Sequence, residues 1–287
     1  MNFLQKPWWP PPSSSLLLDT ESEFSGQYSE VYGQSANKLG LPTFIGVDAF
    51  SFMADPVDGF ESIGVYELEN ATVCCSFGVV MDANSKIITQ TSWNRVSPRD
   101  IRLPSPPEKL RTSRLTGVTA VIATESSDGN YGHFLLDSIG RIAIFKKYSP
   151  TFLNEIDHLL VSGPEKDWKK RLLLSFGVLP EKLVWIDDKQ RYLCDTLLAS
   201  SFPGAKRTYP FWLCEFFRQS KAGKNSVEKE CTDKKRRLFF VRKGPSRKLK
   251  NSNALFALAE RHGFEQYFPE DADDSRSDFR QAEAVVA

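Results

Sequence analysis

The chain has 287 residues, 41% hydrophobic and 25% charged, and its 37 Lys and Arg against 36 Asp and Glu leave a formal net charge of +1. That is the composition of a globular protein with a sizeable core, and the charge balance excludes a global field drawing it to nucleic acid or an anionic surface. Five cysteines, Cys74, Cys75, Cys194, Cys214 and Cys231, form no CxxC pair, and with three histidines they offer no zinc-ligand spacing; free, mostly buried thiols in a reducing compartment are expected.

Residues 1–61 begin "MNFLQKPWWPPPSSSLLLDTESEF", which lacks the order of a signal peptide. The polyproline-prone run reads as a flexible leader, with Trp8 and Trp9 suited to docking on a partner or a membrane surface. No stretch reaches the roughly 18–20 apolar residues of a membrane span. From residue 62, "IGVYELENATVCCSFGVVMDANSKIITQTSW" alternates apolar runs with turn formers at Glu69-Asn70, Asp82-Ala83-Asn84 and Ser92, predicting an antiparallel platform. The proline-rich "SPRDIRLPSPPEKL" then connects to a strand-helix alternation. "GVTAVIAT" reads as a buried strand, "SSDGN" as a loop, and residues 131–148 as a helix stopping before Pro150. "DHLLVSG", the helix "EKDWKKRLLLSFG" capped by Gly177, "KLVWIDD" and "YLCDTLLASSF" continue the series. This alternation predicts an α/β domain with a mainly parallel sheet and ligands at the strands' C-terminal ends. The helix-like "PFWLCEFFRQSKAG" and the polar "KNSVEKECTDKK" lead to a second α/β unit: a strand "RLFFV", a basic loop "RKGPSRKLKN", a helix "SNALFALAERHG" closed by Gly263, and a last helical piece running into "AEAVVA". The expected organisation is a leader (1–61), a β segment with a first Rossmann-like lobe (62–222) and a second lobe (223–287).

Two constellations carry chemistry. At about 100° per residue, Asn130, His133, Asp137 and Arg141 fall within one arc of roughly 80° on the 131–148 helix. His133 and Asp137 are four apart, as are Asp137 and Arg141; a carboxylate beside an imidazole orients the ring and supports its protonated form. The same stripe also suits an ordinary solvated face with one ion pair. The second constellation is the stretch from Lys234 to Lys250, with nine basic and no acidic residues. It feeds a helix that Asn251 or Ser252 would cap, an arrangement suited to a phosphate or diphosphate. Asp271-Ala272-Asp273 spells a DxD inside an acidic run and reads as a wet loop. Asp187-Asp188 reads as a strand terminus and His262 as a helix C-terminal residue. No GxSxG, Walker or full GxGxxG pattern is present.

In order, these features resemble glycosyltransferase family 61. "NYGHFLLDSIGRI" is similar to the family's Asn-Tyr-x-His-x-x-x-Asp motif at Asn130, Tyr131, His133 and Asp137. "RLFFVRKGPSRKLKN" and "HGFE" are similar to its strand, basic loop and helix end at Arg242, Arg247, Asn251, Gly263 and Phe264. Val241 stands where the family usually has Ser, and Ser252 where an acidic residue is common. The chain reaches Ala287 just before the family's His-Gly-Ala-Gly loop, so an incomplete second lobe is expected.

The resemblance implies a GT-B-like α/β fold of two Rossmann-type lobes with an N-terminal β segment. It implies a nucleotide-sugar donor, usually UDP-linked, and inverting transfer to a saccharide hydroxyl in polysaccharide biosynthesis of the capsular type. His133 or Asp137 is the catalytic base, Asn130 and Arg141 bind substrate, and all four are expected to line the cleft between the lobes. Arg242, Arg247 and Asn251 hold the donor diphosphate, with no metal and no further cofactor. Expected partners are the donor and acceptor alone, with no nucleic acid; the expected location is cytoplasmic or peripheral at a membrane's inner face. The competing expectations are an inactive truncated scaffold and a nucleic-acid-binding protein using residues 234–250, whose affinity would fall steeply with salt.

Overall fold

A computed structural model describes residues 17–18, 24–36, 59–92, 109–125, 127–205, 208–220, 236–241, 251–268 and 282–286. The chain divides into two compact units, residues 1–217 and 218–287, a boundary five residues ahead of the one the polar linker suggests.

In the first unit the strands are β1 (Leu17–Leu18), β2 (Gln27–Tyr32), β3 (Ser35–Ala36), β4 (Gly59–Phe60), β5 (Ile63–Cys74), β6 (Val79–Met81), β7 (Ile87–Ile88), β8 (Arg111–Val121), β9 (His158–Ser162), β10 (Leu183–Ile186) and β11 (Gln190–Ser200). Among the described residues, nine of them form one sheet in the order β1-β7-β6-β5-β11-β8-β9-β10, with β2 on the outer edge of β5; β3 and β4 pair separately. The expected platform and the expected parallel sheet are therefore halves of a single mixed sheet. The join is β11, antiparallel to β5 on one side and parallel to β8 on the other. Strands β11, β8, β9 and β10 are successive parallel neighbours, with a register shift between β8 and β11 at Cys194/Thr196, and Val121, Ser162, Ile186 and Ser200 end on one edge.

Two further expectations change. Glu69-Asn70 is no turn: β5 runs through it, with Asn70 taking φ +50°, because Glu69 and Ala71 on either side stay paired with Thr196 and Cys194 of β11. Part of the segment read as a leader is built into the sheet. Its "QYSEVY" pairs antiparallel with β5, and the alternating Tyr28 and Tyr32 gain aromatic partners, Tyr66 at 4.7 Å and Trp212 stacked at 4.2 Å between centroids. The expected turn after β6 is present, with Asp82 Oδ1 accepting the Asn84 and Lys86 amides at 2.9 Å each, an Asx turn.

The core lies across both halves of the sheet, joining Tyr66, Leu68 and Val73 of β5 to Val121, Leu160 and Leu197. Fully burying such a side chain contributes about 1.5–3 kcal/mol. Cys74 and Cys194 are buried, and burial pushes each thiol up to about 12; burial pushes the Cys75 thiol well up too. Such groups are inert at neutral pH. Cys214 is exposed, and Cys231 lies outside the described residues.

The helix over residues 131–148 has three parts: α1 (Tyr131–His133), a π turn (Phe134–Ile139) and α2 (Gly140–Tyr148). From Phe134 to Phe145 it is buried nearly all round, with α2 against β2, β5 and β11. After it come α3 (Phe152–Glu155), α4 (Asp167–Ser175) and α5 (Phe211–Gln219). Gly177, at φ +88°, closes α4 as expected: its amide and that of Val178 reach back to the Leu174 and Leu173 carbonyls at 2.9 and 3.1 Å, a Schellman-type end.

In the second unit, β12 (Arg236–Phe240) lies between β13 (Glu265–Tyr267) and β14 (Ala282–Val286), all parallel, with α6 (Ser252–Arg261) as the crossover to β13. Residues 282–286 of the "AEAVVA" segment form the strand β14, with Val285 and Val286 pairing with β12. Phe256 of α6 meets Phe239 edge-on at 5.2 Å. Among the described residues no helix is long and apolar enough to cross a membrane.

Candidate active site

The loop from β8 into α1 is held by buried hydroxyls. Ser127 Oγ lies 2.7 Å from Ser162 Oγ and 2.8 Å from the Thr124 carbonyl. Ser162 Oγ donates to the Ser76 carbonyl at 2.7 Å and accepts the Thr124 amide at 3.1 Å. This fastens the C-terminal ends of β8 and β9 together and fixes where α1 begins. Asn130 caps that start, its Oδ1 accepting the His133 amide at 3.2 Å.

One turn on, His133 Nδ1 stands 2.8 Å from Asp137 Oδ2. The imidazole is 30% exposed and the carboxylate 0%. An ionised carboxylate only accepts, so Nδ1 carries the proton and donates, and Nε2 is the basic nitrogen. The second carboxylate oxygen, Oδ1, accepts the Tyr209 hydroxyl. Burial pushes the Asp137 carboxyl above the ordinary range, while the hydrogen bonds from Tyr209 and His133 and the charges of His133 and Arg141 pull it back. Burial and the adjacent Asp137 charge push the Tyr209 phenol well upward, so it stays a donor.

Tyr209 is the residue that sequence reasoning missed. It follows a small hairpin in which Ala205 and Thr208 exchange amide bonds at 2.9 and 2.7 Å. Gly204 makes room for it, since a Cβ there would stand 2.8 Å from Tyr209 Cδ1 and 2.6 Å from the Thr208 carbonyl oxygen. The only hint in the sequence is the turn pair Pro203-Gly204.

Arg141, expected on the stripe that lines the cleft, is buried instead. Only 1% exposed, it donates Nη1 to the Ser200 carbonyl at 3.2 Å and Nη2 to the Thr91 carbonyl. Arg141 thus ties the end of β11 and the turn after β7 to the helix, with its charge near Asp137.

Beneath α1 sits Lys169, fully buried, its Nζ donating to the Ser162 carbonyl at 2.7 Å. The rings of Phe134, Trp168 and Trp185 surround it at 5.2, 5.7 and 5.8 Å. Desolvation, and then the charge of Lys166, lower this ammonium to about 8.

Of the second constellation, Arg242 and Arg247 lie outside the described residues, as does the 271–273 DxD. Asn251 is exposed at the N-cap position of α6, where its carbonyl accepts the Ala254 and Leu255 amides at 3.1 and 3.2 Å and its side chain makes no capping bond. His262 ends α6 as expected, its carbonyl accepting Arg237 Nη1 at 2.7 Å. Among the described residues no three His, Cys, Asp or Glu side chains converge as metal ligands.

No curated protein matches the chain. The family model for Glycosyltransferase 61 matches residues 131–287, which is more than half of the chain and starts at the first turn of the helix bearing His133 and Asp137. The chain belongs to glycosyltransferase family 61.

Proposed function

We propose that the protein transfers a sugar from a nucleotide-sugar donor, UDP-linked, to a saccharide hydroxyl with inversion, as a step of polysaccharide biosynthesis of the capsular type. The observation that carries this reading is the His133 Nδ1 to Asp137 Oδ2 bond at 2.8 Å with the carboxylate wholly buried. It supports the reading in which His133 is the base and Asp137 its positioning residue. In this mechanism Nε2 takes the acceptor's hydroxyl proton as that oxygen attacks the anomeric carbon. The bond from that carbon to the diphosphate oxygen breaks on the opposite face, its electron pair leaves with the nucleoside diphosphate, and the configuration inverts. Asn130, exposed at the helix start, offers its amide to the acceptor. Arg141 acts from behind, holding Ser200 and Thr91 in place.

Arg242, Arg247 and Asn251 neutralise the departing diphosphate in this reading, without a metal. The two units then serve as acceptor-side and donor-side lobes of a GT-B-like enzyme working in the cytoplasm or on the inner face of a membrane. The test is release of UDP from UDP-sugars in the presence of oligosaccharide acceptors, with the product's anomeric configuration read by NMR. Turnover should fall by roughly 10²–10⁴ in His133→Ala, and donor binding should vanish in the Arg242→Ala/Arg247→Ala double variant. Absence of binding to every nucleotide sugar overturns the reading.

A further inference from the structure

Two residues before His133, on the same first turn, Tyr131 is 54% exposed. An exposed ring backed by a second aromatic offers a surface for stacking. Its ring is not loose. It rests on the half-buried Trp168 of α4, with centroids 5.4 Å apart and planes at 49°. Trp168 is in turn braced edge-on by Phe134 at 5.2 Å and by the Lys169 ammonium at 5.7 Å. The pair is therefore a stiff aromatic ledge running from the catalytic turn to the start of α4, which loses little conformational entropy when a ligand lands on it.

Polar groups border it. Gly129 and Gly132 are exposed and put no side chain over the ledge. Lys166 Nζ comes within 4.0 Å of where a Gly129 Cβ would stand. Asn130 Oδ1 is used by the helix cap, which leaves the amide's two N–H groups as donors, and the Asp128 carboxylate lies on the same loop. An exposed aromatic face edged by donors and acceptors matches a pyranose ring, which has one face of axial C–H groups and a rim of hydroxyls.

We infer that Tyr131 and Trp168 form a platform on which a sugar ring of the acceptor stacks. The inference rests on the transferase reading above and specifies its acceptor: a pyranoside with an unobstructed axial C–H face, in preference to a peptide or lipid hydroxyl. A ring anchored there holds the acceptor on the enzyme, so the ledge bears on KM.

The experiment uses the whole chain and three probes, methyl β-glucopyranoside, methyl β-xylopyranoside and methyl β-galactopyranoside, followed by saturation-transfer NMR without donor. Saturation should reach chiefly the axial protons of one ring face. Tyr131→Ala should weaken binding roughly tenfold, and Tyr131→Phe, which keeps the ring and loses the hydroxyl, should restore it. Equal binding by wild type and Tyr131→Ala, or no saturation of any of the three glycosides, overturns the inference. The two readings fail separately: transfer activity indifferent to Tyr131→Ala sinks the platform alone, while Tyr131-dependent sugar binding without any nucleotide-sugar turnover sinks the transferase reading alone.

Discussion

Asp137 is a carboxylate taken out of water, with the His133 ring on one oxygen and the Tyr209 hydroxyl on the other. Replacing it with Asn keeps the shape and reverses the chemistry. An amide N–H facing Nδ1 makes that nitrogen the acceptor and moves the proton to Nε2, which then cannot take one from the acceptor. Asp137→Asn should lower kcat/KM by roughly 10³–10⁴, the scale known for wrong-tautomer variants, with an unchanged circular dichroism spectrum as control. Tyr209→Phe tests the other oxygen. The Tyr209 bond favours the ionised carboxylate, so its loss makes Asp137 easier to protonate. The acid limb of the kcat/KM–pH profile should move to higher pH while the plateau changes little; a limb that stays put means Tyr209 does not act through Asp137. The His133–Asp137 pair was legible because four residues apart on a helix is a local relation. Tyr209 was not, because it comes from 72 residues away and is placed by a hairpin that the sequence marks only with Pro203-Gly204.

The 131–148 helix was placed correctly from its periodicity, and its interior was not. A wheel assumes one angle per residue, and the π turn over Phe134–Ile139 breaks that assumption. Asn130, His133 and Asp137 precede the break or lie within it and keep their relation. Arg141 follows it and is buried, as Asp137 is. The stripe that also suited a solvated face is graded, from exposed Asn130 to a wholly buried carboxylate and guanidinium. Just past the π turn, Gly140 lets the helix lie close to the Tyr209 segment. A Cβ there would meet Pro203 Cγ and Cβ at 3.2 and 3.3 Å and Leu213 Cδ1 at 3.4 Å. Two effects compete in Gly140→Ala: better helix propensity, about 1 kcal/mol, and overpacking against a rigid proline ring, about 1–3 kcal/mol. Because a pyrrolidine ring cannot turn aside, overpacking should win, lowering the urea midpoint and reducing kcat as the hairpin bearing Tyr209 is pushed. A raised midpoint would show that residues 203–204 yield freely.

At the scale of the molecule, the α/β alternation was legible because each element announces itself over five to fifteen residues. The joining of the antiparallel and parallel halves was not, since β5 pairs with β11 across more than a hundred residues of chain. The family match begins at residue 131, yet β5, β6 and β8 upstream of it build the same sheet and core. Lys169 ties this unit together: its Nζ holds the end of β9 through the Ser162 carbonyl and lies against rings from the π turn, α4 and β10. Desolvation holds it at about 8, against an ordinary value of 10.5. Above that lowered value and below 10.5, the folded chain binds fewer protons at this position than the unfolded chain, so Lys169 makes stability rise with pH. Below about pH 8 both states are charged and the full cost of burying the ammonium is present. The neutral amine formed above that pH still donates to Ser162. Lys169→Met removes the titration and strands the Ser162 carbonyl, so it should be less stable at pH 7. The deficit should widen from pH 7 to pH 10, because wild type gains what the variant cannot. Urea unfolding of both chains across that range measures the difference, in which the other titrating lysines and tyrosines cancel. A deficit that stays constant with pH would mean that Lys169 ionises as it does in water and that its charge is not desolvated by the rings around it.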